Sequence, residues 1–311
     1  MLKQPKVHIL LATYNGERFL AEQLKSIACQ THDCWTLTVS DDGSTDNTLA
    51  IVQRFAIEVQ QPVTIVQGPK KGSSTANFFH LIANAPIYSD SDLYAFCDQD
   101  DVWFVDKLER AVEWHLQHTD QEVRLYCGRT QFADESLNPI GLSPDIKRPP
   151  SFGNALVQNI ASGNSMVFSQ AVLVAQQKVL TEHSIWHDWT TYIVTTALGG
   201  AVWFDDEPCL SYRQHSGNVI GSNDGLKAQI ARLKPLFNGR FKNWSDINCA
   251  AAHDLRDDMS HKSKNTFRYF ESMRAAPSFI NRLFIFLKSD IRRQRRISNL
   301  LLALALMLNF S

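Results

Sequence analysis

What most restricts the fold of this chain is the alternation, from Val7 to Leu116, of short β-type apolar runs with segments whose apolar residues recur at helical spacing. Val7 to Ala12 makes a first strand, an Asn15-Gly16 turn follows, and Phe19, Leu20, Leu24 and Ile27 mark a helix face. Thr36 to Val39 predicts a second strand, with Leu49, Ile51, Val52 and Phe55 on the helix after it. Val63 to Val66 is the third strand, and Gly68-Pro69 punctuates the way to a helix around Asn77 to Ala83. Leu93 to Cys97 is the fourth. Asp106 with Glu109 three residues on predicts a capping box opening a helix that carries Leu108, Val112 and Leu116. Strand and helix in strict alternation imply an α/β layer with a parallel sheet, a Rossmann-type arrangement flanked by helices. The first apolar run is only a strand's length and is broken by Asn15-Gly16, so the reading is a cytoplasmic protein without a secretory signal.

The middle is less regular. A proline-rich stretch from Pro139 to Pro150 reads as a surface loop, with short strands at Ala155 to Val157 and Met166 to Phe168. From Asn223 strand signals give way to charged helical sequence, which divides the chain into residues 1–222 and a helical C-terminal extension, 223–311.

Acidic clusters stand where the second and fourth strands stop: Asp41-Asp42-Gly43-Ser44 and Asp98-Gln99-Asp100-Asp101. In an open α/β sheet, ligands bind at those carboxyl ends. Three carboxylates in four residues repel one another, and a divalent ion relieves that repulsion. Oxygen ligands on one short segment suit magnesium or manganese, which keep waters and take substrate phosphate oxygens. Asp-Asp-Gly-Ser alone also makes an ordinary turn with a helix cap; the density of charge before Trp103 is harder to explain that way. The field of the whole molecule does not argue for nucleic acid, since 31 basic residues face 32 acidic ones. Cys29, Cys34, Cys97, Cys127, Cys209 and Cys249 lack the close spacing of zinc ribbons or redox pairs and read as reduced thiols.

Taken in order, Ala12-Thr13-Tyr14-Asn15-Gly16, Ser40-Asp41-Asp42-Gly43-Ser44-Thr45-Asp46, Cys97-Asp98-Gln99-Asp100-Asp101-Val102-Trp103, Lys107-Leu108 and His187-Asp188-Trp189 resemble the family 2 glycosyltransferases, which have the GT-A fold. The resemblance covers residues 5 to 221 and implies a transfer of sugar from a nucleotide-diphospho-sugar donor. It implies that Thr13 and Tyr14 line the nucleotide base, that Asp42 bonds the base edge, and that Asn15 and Asn77 belong to the donor site. Asp98 would face the ribose or sugar, and Asp100 would hold the metal, Mn2+ or Mg2+, with Asp101 assisting. Many relatives carry a basic residue ahead of the metal motif. Here the segment reads Gly72-Ser73-Ser74-Thr75-Ala76-Asn77-Phe78, and only Lys70 or Lys71 could substitute. A Gln-x-x-Arg-Trp motif, the mark of a processive synthase, is lacking.

An inverting transfer needs a general base for the acceptor hydroxyl. Asp188 is the candidate, at the start of the helical stretch Thr190 to Leu198, where the positive end of a helix favours a charged carboxylate; the same position would suit a plain N-cap. Tyr212 to Gly221 combines Arg213, His215 and glycines, and resembles the segment that closes over the diphosphate in rhamnosyltransferase-type members. It makes Arg213 a donor-phosphate residue and His215 a donor or metal ligand. Gly163 and Asn164, in Ser162-Gly163-Asn164-Ser165, are either an acceptor contact or an ordinary turn, and His187 and Trp189 complete the acceptor set.

Arg282 to Arg296 is strongly basic and Leu300 to Leu308 wholly apolar, too short to span the ~30 Å of bilayer hydrocarbon. Either the tail lies on an anionic inner membrane surface, or it packs on the main domain. The full reading is an inverting transferase that adds rhamnose from dTDP-rhamnose, or a hexose from a UDP-sugar, to a polyprenyl-diphosphate-linked or oligosaccharide acceptor in bacterial O-antigen or capsule assembly. A sugar nucleotidyltransferase and a non-catalytic nucleotide-sugar binding subunit are the rivals.

Overall fold

The computed structural model describes residues 4–88, 92–215 and 240–307. They fall into two compact units. One is built from Met1–Asp145, Ala161–Gln177 and Val202–Gly221, the other from Ile146–Ile160, Lys178–Ala201 and Ser222–Ser311. The expected boundary at 222–223 lies outside the described residues.

The first unit begins with the predicted alternation. Strand β1 (Val7–Thr13), helix α1 (Leu20–Ala28), β2 (Trp35–Asp41), α2 (Thr48–Glu58), β3 (Val63–Gln67), α3 (Ser74–Asn84) and β4 (Leu93–Cys97) follow in turn. Pairing of β1 with β2 and β4, and of β2 with β3, is parallel. Every residue of β1 and β4 is buried, which explains their unbroken apolar runs. Helix α1 turns Leu20, Leu24 and Ile27 inward.

Beyond β4 the sheet becomes mixed, which the parallel expectation did not include. Its further strands are β5 (Val102–Trp103), β6 (Arg124–Ala133), β7 (Pro139–Leu142), β8 (Val167–Ser169) and β9 (Ala201–Arg213). The order is β3-β2-β1-β4-β8-β6-β9-β5 with β7 paired to β6, and β8 runs antiparallel to both β4 and β6. Helix α4 (Lys107–Gln117) lies between β5 and β6 in the chain.

Three local expectations need correction. Asp106 precedes α4, but at φ −97° and ψ 2° it lacks the extended backbone an N-cap side chain needs, and no capping bond forms. Its carboxylate meets Arg110 at 3.4 Å, while Glu109 accepts from the Thr31 hydroxyl at 2.7 Å. The proline-rich stretch is not all loop: the Asp134 carboxylate gathers the Ser136 and Asn138 amides into a turn, and Pro139 can start β7 because its ring gives up a donor only at the strand's first position. Residues 155–157 are the end of a helix and the turn that follows it rather than an extended strand. The Ser151 hydroxyl caps α5 (Phe152–Ala155), and the turn continues through the Val157 amide to the Asn154 carbonyl at 3.0 Å.

The second unit is helical: α5, then α7 (His187–Ala197), α8 (Arg240–Asp254), α9 (His261–Ala275), α10 (Phe279–Lys288) and α11 (Arg296–Met307). The short helix α6 (Gln170–Gln176) belongs to the first unit. Trp189, Tyr192, Phe241, Phe267, Phe270, Phe286 and Leu302 fill the second unit's core. Gly153 is required there, because a Cβ would stand 2.7 Å from the Asp290 carbonyl oxygen.

Candidate active site

Register brings three strand ends together. Thr13 lies beside Asp41 across β1 and β2, and Leu11 beside Cys97 across β1 and β4, so the loops 13–16, 41–46 and 98–101 leave from one edge of the sheet.

Gln99 ties two of those loops. Its Oε1 accepts from the Thr13 hydroxyl at 2.6 Å and the Tyr14 amide at 2.9 Å, and its Nε2 donates to the Tyr14 carbonyl at 3.1 Å. Gly16 permits the approach, since a Cβ there would fall 2.4 Å from Gln99 Oε1. Tyr14 is left 48% exposed at the mouth of this latch. Asn15 adopts φ 46°, and its Oδ1 accepts from the Thr45 amide at 2.9 Å, joining the first loop to the second. In the sequence Gln99 stands between aspartates with no role of its own, and nothing in its spacing reveals the latch.

The second loop is equally enclosed. Asp41 accepts from the Gly43 and Ser44 amides at 3.1 and 2.9 Å. Asp42, buried, accepts from the Gly72 amide at 2.7 Å and the Lys71 amide at 3.3 Å. Lys70 runs across Gly43, where a Cβ would meet its Cγ at 3.5 Å, so a basic side chain does stand over this loop. Buried Asn77 donates to the Ser40 and Thr13 carbonyls at 2.8 and 3.3 Å and accepts from the Ser40 hydroxyl at 2.6 Å. It clamps the ends of β1 and β2.

In the third loop Asp98 and Asp100 are partly exposed, while Asp101 is fully buried. The Asp101 carboxylate accepts from the Asn164 side-chain amide and from the Arg213 backbone amide, the latter at 3.3 Å. Burial, then the charges of Asp100 and Asp98, push its carboxyl well above the ordinary range. Lys107 lies beneath, its Nζ donating to the Asn164 carbonyl at 2.6 Å and standing 3.1 Å from the Trp103 ring centre; burial brings it down to about 8. Asn164 and Gly163 thus lie in a buried turn, Gly163–Ser165, whose side chain and carbonyl face Asp101 and Lys107.

Arg213 is 2% exposed. Its guanidinium donates to the Asp100 carbonyl at 3.0 Å, to the Glu135 carbonyl and to the Glu22 carboxylate, and lies 4.4 Å above the Phe19 ring. Two residues on, His215 Nε2 meets Asp100 Oδ2 at 2.8 Å, its ring 5.0 Å from Phe19. The structure therefore brings Asp100 and His215 together, and adds Phe19, read from the sequence only as part of a helix face, and Glu22, which no sequence signal marked. Ser216 to Gly221 lie outside the described residues.

The Asp100 and His215 pair fits a divalent ion as part of a ligand set. A carboxylate oxygen and an imidazole nitrogen side by side are donors that such an ion accepts. Among the described residues no group of three or more His, Cys, Asp or Glu could hold an ion. Further ligands would have to be phosphate oxygens and water, as is usual for magnesium.

In the second unit, Asp188 sits in the first turn of α7 and accepts from the Trp189 amide at 2.7 Å. The residue in the N-cap position is Trp186. Burial lowers the neighbouring His187 to about 3, so its imidazole is neutral. Trp189 is buried, its indole donating to the Ala155 carbonyl at 2.7 Å and lying 5.9 and 5.8 Å from the Trp186 and Trp244 rings.

A sheet of this order, with acidic loops at the ends of its parallel strands, is the GT-A fold of nucleotide-sugar glycosyltransferases. S. aureus TarS, residues 1–349, superposes with a TM-score of 0.56 at 15% identity, covering 91% of this chain and 80% of that one. The mannosyltransferase PcManGT from Pyrobaculum calidifontis, in complex with GDP-Man and Mn2+, gives 0.51 at 17% identity, over 99% of this chain and 86% of that one. In sequence, the dTDP-rhamnosyl transferase RfbG of Shigella flexneri is 29% identical over 230 residues, 72% of this chain and 78% of that protein. The putative glycosyltransferase EpsE of Bacillus subtilis is 30% identical over 145 residues, 47% of this chain and half of EpsE. Residues 8–180 match the model of glycosyl transferase family 2, and the chain belongs to that family. It is an enzyme of the hexosyltransferase class.

Proposed function

We propose that this chain is an inverting, divalent-cation-dependent transferase that moves a sugar from a nucleotide diphosphate to a hydroxyl of a lipid-linked or oligosaccharide acceptor in bacterial surface polysaccharide assembly. The observation that carries the reading is the 2.8 Å pairing of Asp100 with His215 on the edge of the sheet that also bears the 13–16 and 41–46 loops. Similarity to the Shigella flexneri enzyme supports rhamnose from dTDP-rhamnose as donor, with a hexose from a UDP-sugar as the other choice.

Thr13, Tyr14, Asn15 and Asp42 form the nucleotide end of the donor site, held by Gln99 and Asn77, and Asp98 faces the ribose or sugar. Asp100 and His215 would hold the cation, and Asp101, enclosed behind them, orders the loop through the Asn164 side chain and the Arg213 amide rather than lending a coordinating atom. Arg213 fixes the 100–101 backbone beside the diphosphate. A bound divalent cation would act as a Lewis acid for the departing diphosphate. Asp188 takes the proton of the acceptor hydroxyl as its oxygen bonds to the anomeric carbon and the bond to diphosphate breaks on the opposite face, which inverts the centre. His187, Trp189, Gly163 and Asn164 shape the acceptor side. The enzyme works in the cytoplasm, in contact with the inner face of the membrane.

The test is a thermal-shift panel of dTDP-, UDP- and GDP-sugars with and without Mn2+. A ligand at a hundred times its Kd stabilises the folded state by about 2.7 kcal/mol. One donor should raise the melting temperature only when manganese is present, and Asp100→Asn or His215→Gln should remove the manganese-dependent part. A wild-type protein that no nucleotide sugar stabilises with manganese would refute the reading.

A further inference from the structure

Exposed large apolar side chains are scattered over most of the described chain but concentrate on α10 and α11. On α10, Ile280, Phe284 and Leu287 are spaced i, i+4, i+7 and are 64%, 57% and 66% exposed, with Phe279 at the start of the helix also open. On α11, Ile297, Leu300 and Leu304, spaced i, i+3, i+7, repeat the pattern. Both rows are single faces of a helix. The opposite sides are buried: Phe286 on α10, and Leu302, Ala305 and Leu306 on α11. The two helices pack on one another. Each therefore has one apolar side holding it to its unit and a second apolar side facing out.

The outward apolar surface begins on α10, earlier in the chain than the apolar run at 300–308 and where the sequence marked only charge. Arg293, in the basic run, is half-buried, while Lys288, Arg295 and Arg296 are exposed where the two helices join. Lys288 lies 4.0 Å over the Phe284 ring, its stem along apolar surface. The one acid from 276 to 307, Asp290, accepts from the Thr266 hydroxyl at 2.9 Å. In a chain of 31 basic and 32 acidic residues, this is a segregated positive charge beside paired apolar rows.

We infer that the outward rows of α10 and α11 seat this protein on an anionic lipid bilayer, the apolar side chains entering below the headgroups and Lys288, Arg295 and Arg296 meeting the lipid phosphates. At 10 and 12 residues these helices are far from the ~20 needed to cross a bilayer, so they lie in its plane. A basic, apolar surface of this kind binds anionic membrane by the two effects together, burial of apolar area and attraction to negative headgroups. The inference deepens the membrane contact in the proposed function but does not depend on the donor site.

Vesicle flotation of the full chain, without donor or metal, tests it. With phosphatidylcholine vesicles containing about one quarter phosphatidylglycerol, the protein should float at least about tenfold more than with phosphatidylcholine alone, and added salt should release it. Ile280→Glu with Phe284→Glu, and separately Leu300→Glu, should cut binding about tenfold; Arg295→Glu with Arg296→Glu should abolish the preference for anionic lipid. These positions are exposed, and unchanged melting temperature and transfer to a water-soluble acceptor will show that the variants fold. Wild-type protein that stays in solution, that floats equally on neutral vesicles, or whose binding the apolar variants leave intact overturns the inference. So does a dimer that Ile280→Glu with Phe284→Glu turns into a monomer without altering flotation, which would assign the surface to a second copy of the chain. Absence of transferase activity in protein that floats would instead count against the proposed function.

Discussion

At the ends of β1, β2 and β4 the first unit takes charged side chains out of water, whereas the last helices of the second unit leave apolar side chains in it. Asp42, Asp101, Lys107 and Arg213 are all buried, each with named partners, while Asp100 and His215 keep partial exposure. Burying a charge is unfavourable unless every partner is in place, so these loops are held to one arrangement. On α10 and α11 the surplus is apolar and its partner must come from outside. The difference teaches where each unit keeps its specificity: in fixed polar geometry at the sheet edge, and in an uncovered surface on the helices.

The comparison can be broken first at Asp188, the polar group the second unit is proposed to contribute to chemistry. Asp188→Asn should lower kcat by about a thousandfold, within the usual range for a general base, and leave the manganese-dependent donor shift unchanged; full turnover in the variant would remove the second unit from the reaction. Next, Lys107→Met takes away the cation beneath Asn164 and Asp101 and should cost about 3 kcal/mol in urea unfolding, the order expected when a buried charge loses its partner. A loss under about 1 kcal/mol would mean the enclosure of Asp101 is not what orders the loop.

Gly16→Ala should cost about 1–2 kcal/mol and raise the donor KM, because its Cβ would displace Gln99 and open the latch to Tyr14. An unaltered KM would show that the latch is not part of the donor site. A pH series compares the units through one histidine in each: burial brings His115 in the first and His187 in the second down to about 3, and also lowers His8 and His32 of the first. Below the ordinary value of 6.5 the unfolded chain takes up protons that the folded protein refuses. Stability is therefore lost as pH falls from about 6.5 toward 3, by roughly 1 kcal/mol per unit for each histidine. His115→Gln and His187→Gln should each flatten that slope in urea titrations. The smallest effect belongs to Arg18→Ala: its ion pair with Glu135 is exposed on both sides, and its loss should change stability by less than about 0.5 kcal/mol.

Strands β1 and β4 were legible because a buried strand in a parallel sheet is a local, unbroken apolar run, β2 and β3 because of their β-branched residues, and the acidic clusters stand at the ends of β2 and β4. Asp100 and His215 could be paired in advance only through family resemblance, being 115 residues apart. The salt bridge of Glu22 with Arg213 spans 191 residues and has no local signature at all. Asp106 and Ser151 show the limit at short range: both stand before helices, but only Ser151 has the extended backbone that lets its hydroxyl cap. The strand read at 155–157 failed for the same reason, since a cap upstream overrode the β preference of its residues.

By itself the sequence determined the alternating layer, the strand ends at which carboxylates gather, and the motifs that place the chain in its family, because periodicity and turn residues act over a few neighbours. Only the tertiary structure decided that Asp101 is enclosed while Asp100 stays open, that Arg213 is spent on the protein's own carbonyls and Glu22, and that one side of α10 remains bare. Those outcomes depend on which distant backbone passes each side chain, and burial is a property of that packing rather than of the residue.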